Sequence, residues 1–200
     1  MIHLKGSQNS WGLVAKTLHW VMAVFILLQV FFGINLHFMN VSSEKGELIH
    51  FHKIFGTIIL FLIFCRLAWK FYNPSPSRND LNIIHRISSK FVHIILYLLI
   101  IVIPIQGMII TWTGGSDVIF LGLFTLPRLV EEDLIMYDNF VNAHFFMTMI
   151  LCSVFSIHLL GSLVHVIIYK DKYNVWRSMN IFREGCHFFS HIASNDIHES

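Results

Sequence analysis

The segment "NAHFFMTMILCSVFSIHLL" (Asn142–Leu160) is long and apolar enough to cross a bilayer, yet it carries two histidines, His144 and His158, fourteen residues apart. An ionisable side chain inside a spanning helix is costly and marks a function by default. Fourteen residues rise about 21 Å along a helix and complete nearly four turns, so the two rings share one face at two depths. Each then needs a partner at its own level on a neighbouring helix.

The rest of the chain supplies the neighbours. Of its 200 residues, 55% are hydrophobic and 13% charged, and the mean hydropathy is +0.64. A soluble domain carries about 25% charged residues, so this composition excludes an ordinary soluble class. Apolar runs near 17–38, 51–71, 91–110 and 140–169 each approach or exceed the ~20 residues of a membrane helix. The expected fold is all-α: an integral membrane four-helix bundle over residues 1–172, followed by a tail at 173–200. Breakers fall between the runs, in "NPSPSRND" (Asn73–Asp80) and "TGGSD" (Thr113–Asp117). Pro104 interrupts the third run, where a membrane helix tolerates it. Lys53 and Arg66 lie near the ends of the second run, within snorkelling reach of the interface. The first run is full length and lacks a small-residue cleavage site, so it reads as a spanning helix and not as a cleaved signal.

Basic residues set the expected orientation. Lys5, Lys16, Arg66, Lys70, Arg78, Arg86, Lys90, Lys170, Lys172, Arg177 and Arg183 fall at one end of the runs, whereas Lys45, Lys53 and Arg128 fall at the other. Both termini are therefore expected on the cytoplasmic side of a bacterial inner (plasma) membrane. The outer side also carries Glu44, Glu47, Asp117, Glu131, Glu132, Asp133 and Asp138. Against these carboxylates, Lys53 and Arg128 are expected to form a local basic entrance. The cysteines, Cys65, Cys152 and Cys186, form no CxxC pair and read as small core residues, not as a disulfide or thiolate centre.

Helix direction assigns the partners. The first helix starts inside, placing His19 at the inner level with His158. The second starts outside, placing His52 with His144. Two facing imidazole pairs in a four-helix bundle point to two b-type haems, each with bis-histidine ligation, which makes these four residues the candidate iron ligands. The fourteen-residue step recurs. Gly33 follows His19, Arg66 follows His52 and Gly107 follows His93. The glycines would leave room for a flat macrocycle or for close helix packing, and Arg66 would reach a haem propionate. His93 is the rival inner ligand, with a propionate or quinone contact as its other role. His165 is placed at the inner interface, His85 just ahead of helix three, and His50 and His37 near the outer surface. His50 is the alternative to His52. His3, His187, His191 and His198 read as tail residues.

The chain resembles the bacterial cytochrome b561 family, small dihaem four-helix membrane proteins that include superoxide oxidase. The matching pieces are "LHWVMAVFILLQVFFG" (Leu18–Gly33), "HFHKIFGTIILFLIFCRLAWKF" (His50–Phe71) and "VHIILYLLIIVIPIQGMI" (Val92–Ile109). "FLGLFTLP" (Phe120–Pro127) and "AHFFMTMILCSVFSIHLLGSLVH" (Ala143–His165) complete the match. The resemblance implies the same four ligands and matches His93 and Arg66 to positions that the family usually fills with His and Arg. It implies electron transfer from an outer reductant, superoxide being one, to ubiquinone. The expected partners are membrane lipid, quinone, an outer donor and a soluble redox protein, and not nucleic acid. The sequence departs from the family pattern at Val166 and Lys90, where a histidine is common. Two other readings stand beside this one. The first is a haem-bearing anchor subunit that serves a larger dehydrogenase or hydrogenase. The second is a histidine-lined metal transporter without haem.

Overall fold

The structure, a computed structural model, describes residues 4–7, 10–73, 83–168, 170 and 177–179. His3, Arg78, Lys172, Arg183, Cys186 and the tail histidines lie outside the described residues, as does the tail itself apart from Arg177–Met179.

Four helices account for most of the chain: α1 (Leu13–Phe38), α2 (Ser43–Tyr72), α3 (Ile83–Thr113) and α4 (Leu134–Ile167). All four are long and apolar enough to cross a membrane. Most of their apolar surface faces outward: Phe31, Phe64, Phe91 and Phe146 are all more than half exposed. In water such a surface would aggregate, whereas in lipid it is the expected exterior. The chain is thus a multi-pass membrane protein in contact with lipid.

Three helices begin well ahead of their apolar runs. In two of them a polar capping residue sets the start. The Ser42 hydroxyl accepts from the Lys45 N–H, and the Asp133 carboxylate accepts from the Met136 N–H at 2.9 Å. Each cap satisfies a backbone donor that has no partner within its helix. The α1–α2 connection is short and is braced by Lys45 Nζ, which donates to the Met39 carbonyl at 2.7 Å. Pro104 stays inside α3 without ending it.

The helices run up and down in sequence order. Backbone packing is close between α1 and α2, between α2 and α3, and most extensively between α3 and α4, whereas α4 stands away from α1 and α2. Two small apolar clusters hold the packed pairs. Met22, Leu60 and Ile63 form one, and Leu99, Ile103 and Leu151 form the other. Phe25 and Phe32 of α1 both meet Phe55 of α2, which adds aromatic contact to that pair.

A short antiparallel hairpin, β1 (Val118–Phe120) and β2 (Phe124–Leu126), lies between α3 and α4 and was not anticipated from the sequence. Its turn uses positive φ at both Leu121 (56°) and Gly122 (72°), the type I′ geometry that matches strand twist. Glycine accepts that conformation freely, while leucine is strained in it. Thr57 of α2 offsets this strain by accepting the Leu121 N–H at 2.9 Å, while its own hydroxyl donates to the Ile54 carbonyl. Val118 is buried and Phe120 reaches the first apolar cluster, so the hairpin is docked against the bundle.

Thr57→Val removes the acceptor for the Leu121 N–H and should cost about 1–3 kcal/mol, the penalty for leaving a buried donor unsatisfied. A thermal-unfolding comparison in detergent tests this, and hydrogen exchange at Leu121 should rise with it.

Candidate functional site: two imidazole pairs

The four histidines on facing helices meet in two pairs. At the end of the bundle that carries the hairpin, His52 of α2 faces His144 of α4, with ring centres 6.2 Å apart and planes at 72°. At the opposite, terminal end, where α1 begins and α4 ends, His19 of α1 faces His158 of α4, with ring centres 6.4 Å apart and planes at 75°. All four rings are half-buried. Each pair spans the region where α4 is held away from α1 and α2. The imidazoles bridge a space that the backbones leave open.

The terminal-end pair sits in a polar cluster. Arg66 Nη1 lies 2.8 Å from His19 Nδ1, and His93 of α3 approaches His158 with ring centres 5.2 Å apart. Arg66 and Lys70, one turn apart on α2, both lie over the Tyr97 ring. Arg66 thus reaches the predicted level, and the contact it makes there is with His19. His85 and His165 meet further along the same end.

The hairpin-end pair is drier. The Nδ1 atoms of His52 and His144 are buried and have no hydrogen-bond partner among the described residues. Gln29 Nε2 donates to the His52 carbonyl at 2.7 Å and ties α1 to α2 at this level. The two glycines flank the rings. A Cβ on Gly33 would come within 3.2 Å of His52 Cε1, and one on Gly107 within 3.6 Å of His144 Cε1. His37 stacks on Phe145 at 4.0 Å, beside His144. His50 lies near the pair but faces neither ring of it.

A scan against protein-family models matches prokaryotic cytochrome b561 over residues 10–179. The chain belongs to the prokaryotic cytochrome b561 family. No individually curated protein matches the sequence. Membership makes this chain a haem-binding membrane electron-transfer protein, and cytochromes b561 normally bind b-type haem. It also favours electron transfer over a haem-free metal transporter.

The residues present fit this cofactor. Two in-line metal–imidazole bonds of about 2.0–2.1 Å, plus roughly 1.1 Å from each nitrogen to its ring centre, would separate the ring centres by about 6.3 Å. The His52–His144 and His19–His158 separations match that spacing. His93–His158 is about an ångström too short for it. The buried Nδ1 atoms of His52 and His144 have no hydrogen-bond partner among the described residues, and the glycines at 33 and 107 leave space beside those rings.

Several participants were not named from sequence. Gln29 is an amide in the middle of an apolar helix, a signal that it must find a partner across the bundle. Tyr97 gave no such signal, because an aromatic residue on a membrane helix is ordinary core. Arg128 was placed as part of a basic entrance. In the structure its guanidinium is engaged with Asp117 Oδ1 at 2.8 Å and with the Gly115 carbonyl. That entrance therefore reduces to Lys53.

Gly33→Leu should lower haem content sharply by driving a side chain into His52. Gly107→Ala, with ordinary contact distance available, should retain most of it. A pyridine haemochrome assay on both purified variants checks the contrast.

Proposed function

We propose that His19 with His158 and His52 with His144 each ligate one b haem, and that this dihaem chain passes electrons from an outer-side reductant to ubiquinone. The observation that carries the reading is the pair of matched imidazole separations across the space between α4 and its neighbours. Held by two histidines, each haem would supply a one-electron centre, which suits electron transfer. The protein's own part is positional. α4 presents two ligands from one rigid helix, so their vertical offset is set by helix geometry. Arg66 places a cation at the inner level, where it can meet a carboxylate, and His93 offers a hydrogen-bonding ring beside His158. Gly33 and Gly107 keep the outer level open, and the apolar clusters exclude water between levels.

The Lys and Arg distribution supports placement in a bacterial inner membrane with both termini cytoplasmic. Superoxide is the donor that the resemblance offers, but the acidic hairpin end works against an anion. Exposed Glu131, Glu132 and Asp138 at that end favour a second reading, in which the chain anchors a cationic redox protein and receives its electrons.

The wild-type protein should bind two haems per chain. His52→Ala or His144→Ala should abolish the outer one, and His19→Ala or His158→Ala the inner one. His93→Ala should keep both. Haemochrome stoichiometry and the reduced-minus-oxidised spectrum provide the readout; one haem in the wild type, or two in His158→Ala, would overturn the ligand set. Stopped-flow decay of superoxide with added ubiquinone then tests the donor: a rate no faster than the uncatalysed decay removes superoxide from consideration.

A further inference from the structure

Two buried polar atoms of neighbouring residues lack a hydrogen-bond partner among the described residues: Nδ1 of His52 and Oε1 of Gln29. The two residues are already joined once, because Gln29 Nε2 donates to the His52 carbonyl at 2.7 Å. The leftover atoms are complementary in kind. An amide oxygen only accepts. A neutral imidazole that gives one nitrogen's lone pair to a metal keeps its proton on the other.

The backbone sets the direction of both groups. Gln29 and Gly33 are one turn apart on α1 and share a face. A Cβ on Gly33 would lie 3.2 Å from His52 Cε1 and 3.9 Å from its Nδ1. The Cε1–Nδ1 edge of the ring therefore looks toward α1, the helix that carries Gln29, and Nε2 is the nitrogen left for iron. On α2, Gly56 lies one turn beyond His52, and a Cβ there would come within 3.5 Å of Gln29 Nε2. The amide is thus held between the His52 carbonyl and Gly56. Its nitrogen is engaged, and its oxygen remains as a buried acceptor on the helix face that the ring edge meets. Gln106 of α3 also has a buried Oε1 without a partner, but no hydrogen bond among the described residues fixes its amide beside His144.

We propose that the Gln29 side-chain carbonyl accepts the Nδ1–H of His52, which makes Gln29 a positioning residue that orients this ring and tunes the haem it ligates. The inference rests on the ligand set proposed above and adds a residue that acts through His52. An acceptor on the far nitrogen raises the basicity of a ligating imidazole, which favours ferric over ferrous iron and lowers the potential. The other level has the opposite arrangement, because the group beside His19 Nδ1 is the Arg66 guanidinium, a donor and a cation. The His52–His144 centre is then the lower in potential.

The test is a potentiometric measurement on the haem-loaded protein in nanodiscs, with haem counted by pyridine haemochrome in every variant. The spectral component missing from His52→Ala identifies the haem of the His52–His144 pair. In Gln29→Leu both haems should remain, and the reduction equilibrium of that component should shift about threefold toward ferrous iron, an upward move of about 28 mV at 59 mV per tenfold. Gln29→Glu keeps an acceptor oxygen and should hold the same potential at or below the wild-type value. The His19–His158 component should not move in either variant. Loss of the His52–His144 haem in Gln29→Leu with its retention in Gln29→Glu supports the same role, since only the second variant keeps the acceptor. An unchanged potential in Gln29→Leu, or an equal upward shift in both variants, overturns the proposal and leaves Gln29 a tie between α1 and α2. So does loss of that haem from both. A wild-type count of one haem overturns the ligand set and this inference together, whereas two haems with an unmoved potential overturn this inference alone.

Discussion

Imidazoles reaching across a space between helices are the constraint on which the rest of this molecule depends. α4 packs along α3 through Leu99, Ile103 and Leu151, yet it stands off from α1 and α2. Membrane helices gain little from apolar contact with one another, because lipid offers the same contact. Polar and aromatic contacts join α4 to the opposite helices: His19 with His158, His52 with His144, and His37 stacked on Phe145. Held at both levels by these pairs, the bundle forms a frame for a flat, apolar group with a metal at its centre, consistent with the family's b-type haem.

The two levels differ in their surroundings, and the difference follows from which side chains each helix brings. The level of His19 and His158 gathers Arg66, His93, Lys70 and Tyr97, so charge and hydrogen-bonding capacity are close at hand. At the level of His52 and His144, small residues lie beside the rings, and Gln29 and Thr148 donate to the two histidines' backbone carbonyls. Haem potentials respond to local charge, hydrogen bonding and burial. In the proposed reading, with each imidazole pair holding a haem, such unlike settings would give the two centres unequal potentials. The hairpin shapes the outer approach. It is pinned by Thr57 against α2, and Asp117 in the loop ahead of it lines a cavity together with Lys53 of α2.

Much of the fold was legible because its signals are local and strong. Four apolar runs specify four helices, and polar caps at Ser42 and Asp133 explain why two of them start ahead of those runs. The hairpin was not legible. Leu121 in a positive-φ position contradicts residue preference, and it is held there by a hydroxyl 64 residues away in sequence. The histidine pairing was legible because helix rise converts sequence spacing into depth, and alternating helix direction converts depth into partners. Proximity alone would not have separated His19 from His93, since both rings approach His158, and the closer one has the wrong separation for in-line ligation.

By itself, the sequence determined the helix number, the membrane class and the depth of each imidazole. These quantities depend only on composition and on a rise per residue that every helix shares. Lateral relations were decided by the tertiary structure alone: the standing-off of α4, the engagement of Arg128 with Asp117, the approach of Arg66 to His19 and the cavity beside Lys53. Such relations depend on how helices rotate and lean against one another, and that is set by contacts between residues remote in the chain, for which no local spacing rule exists.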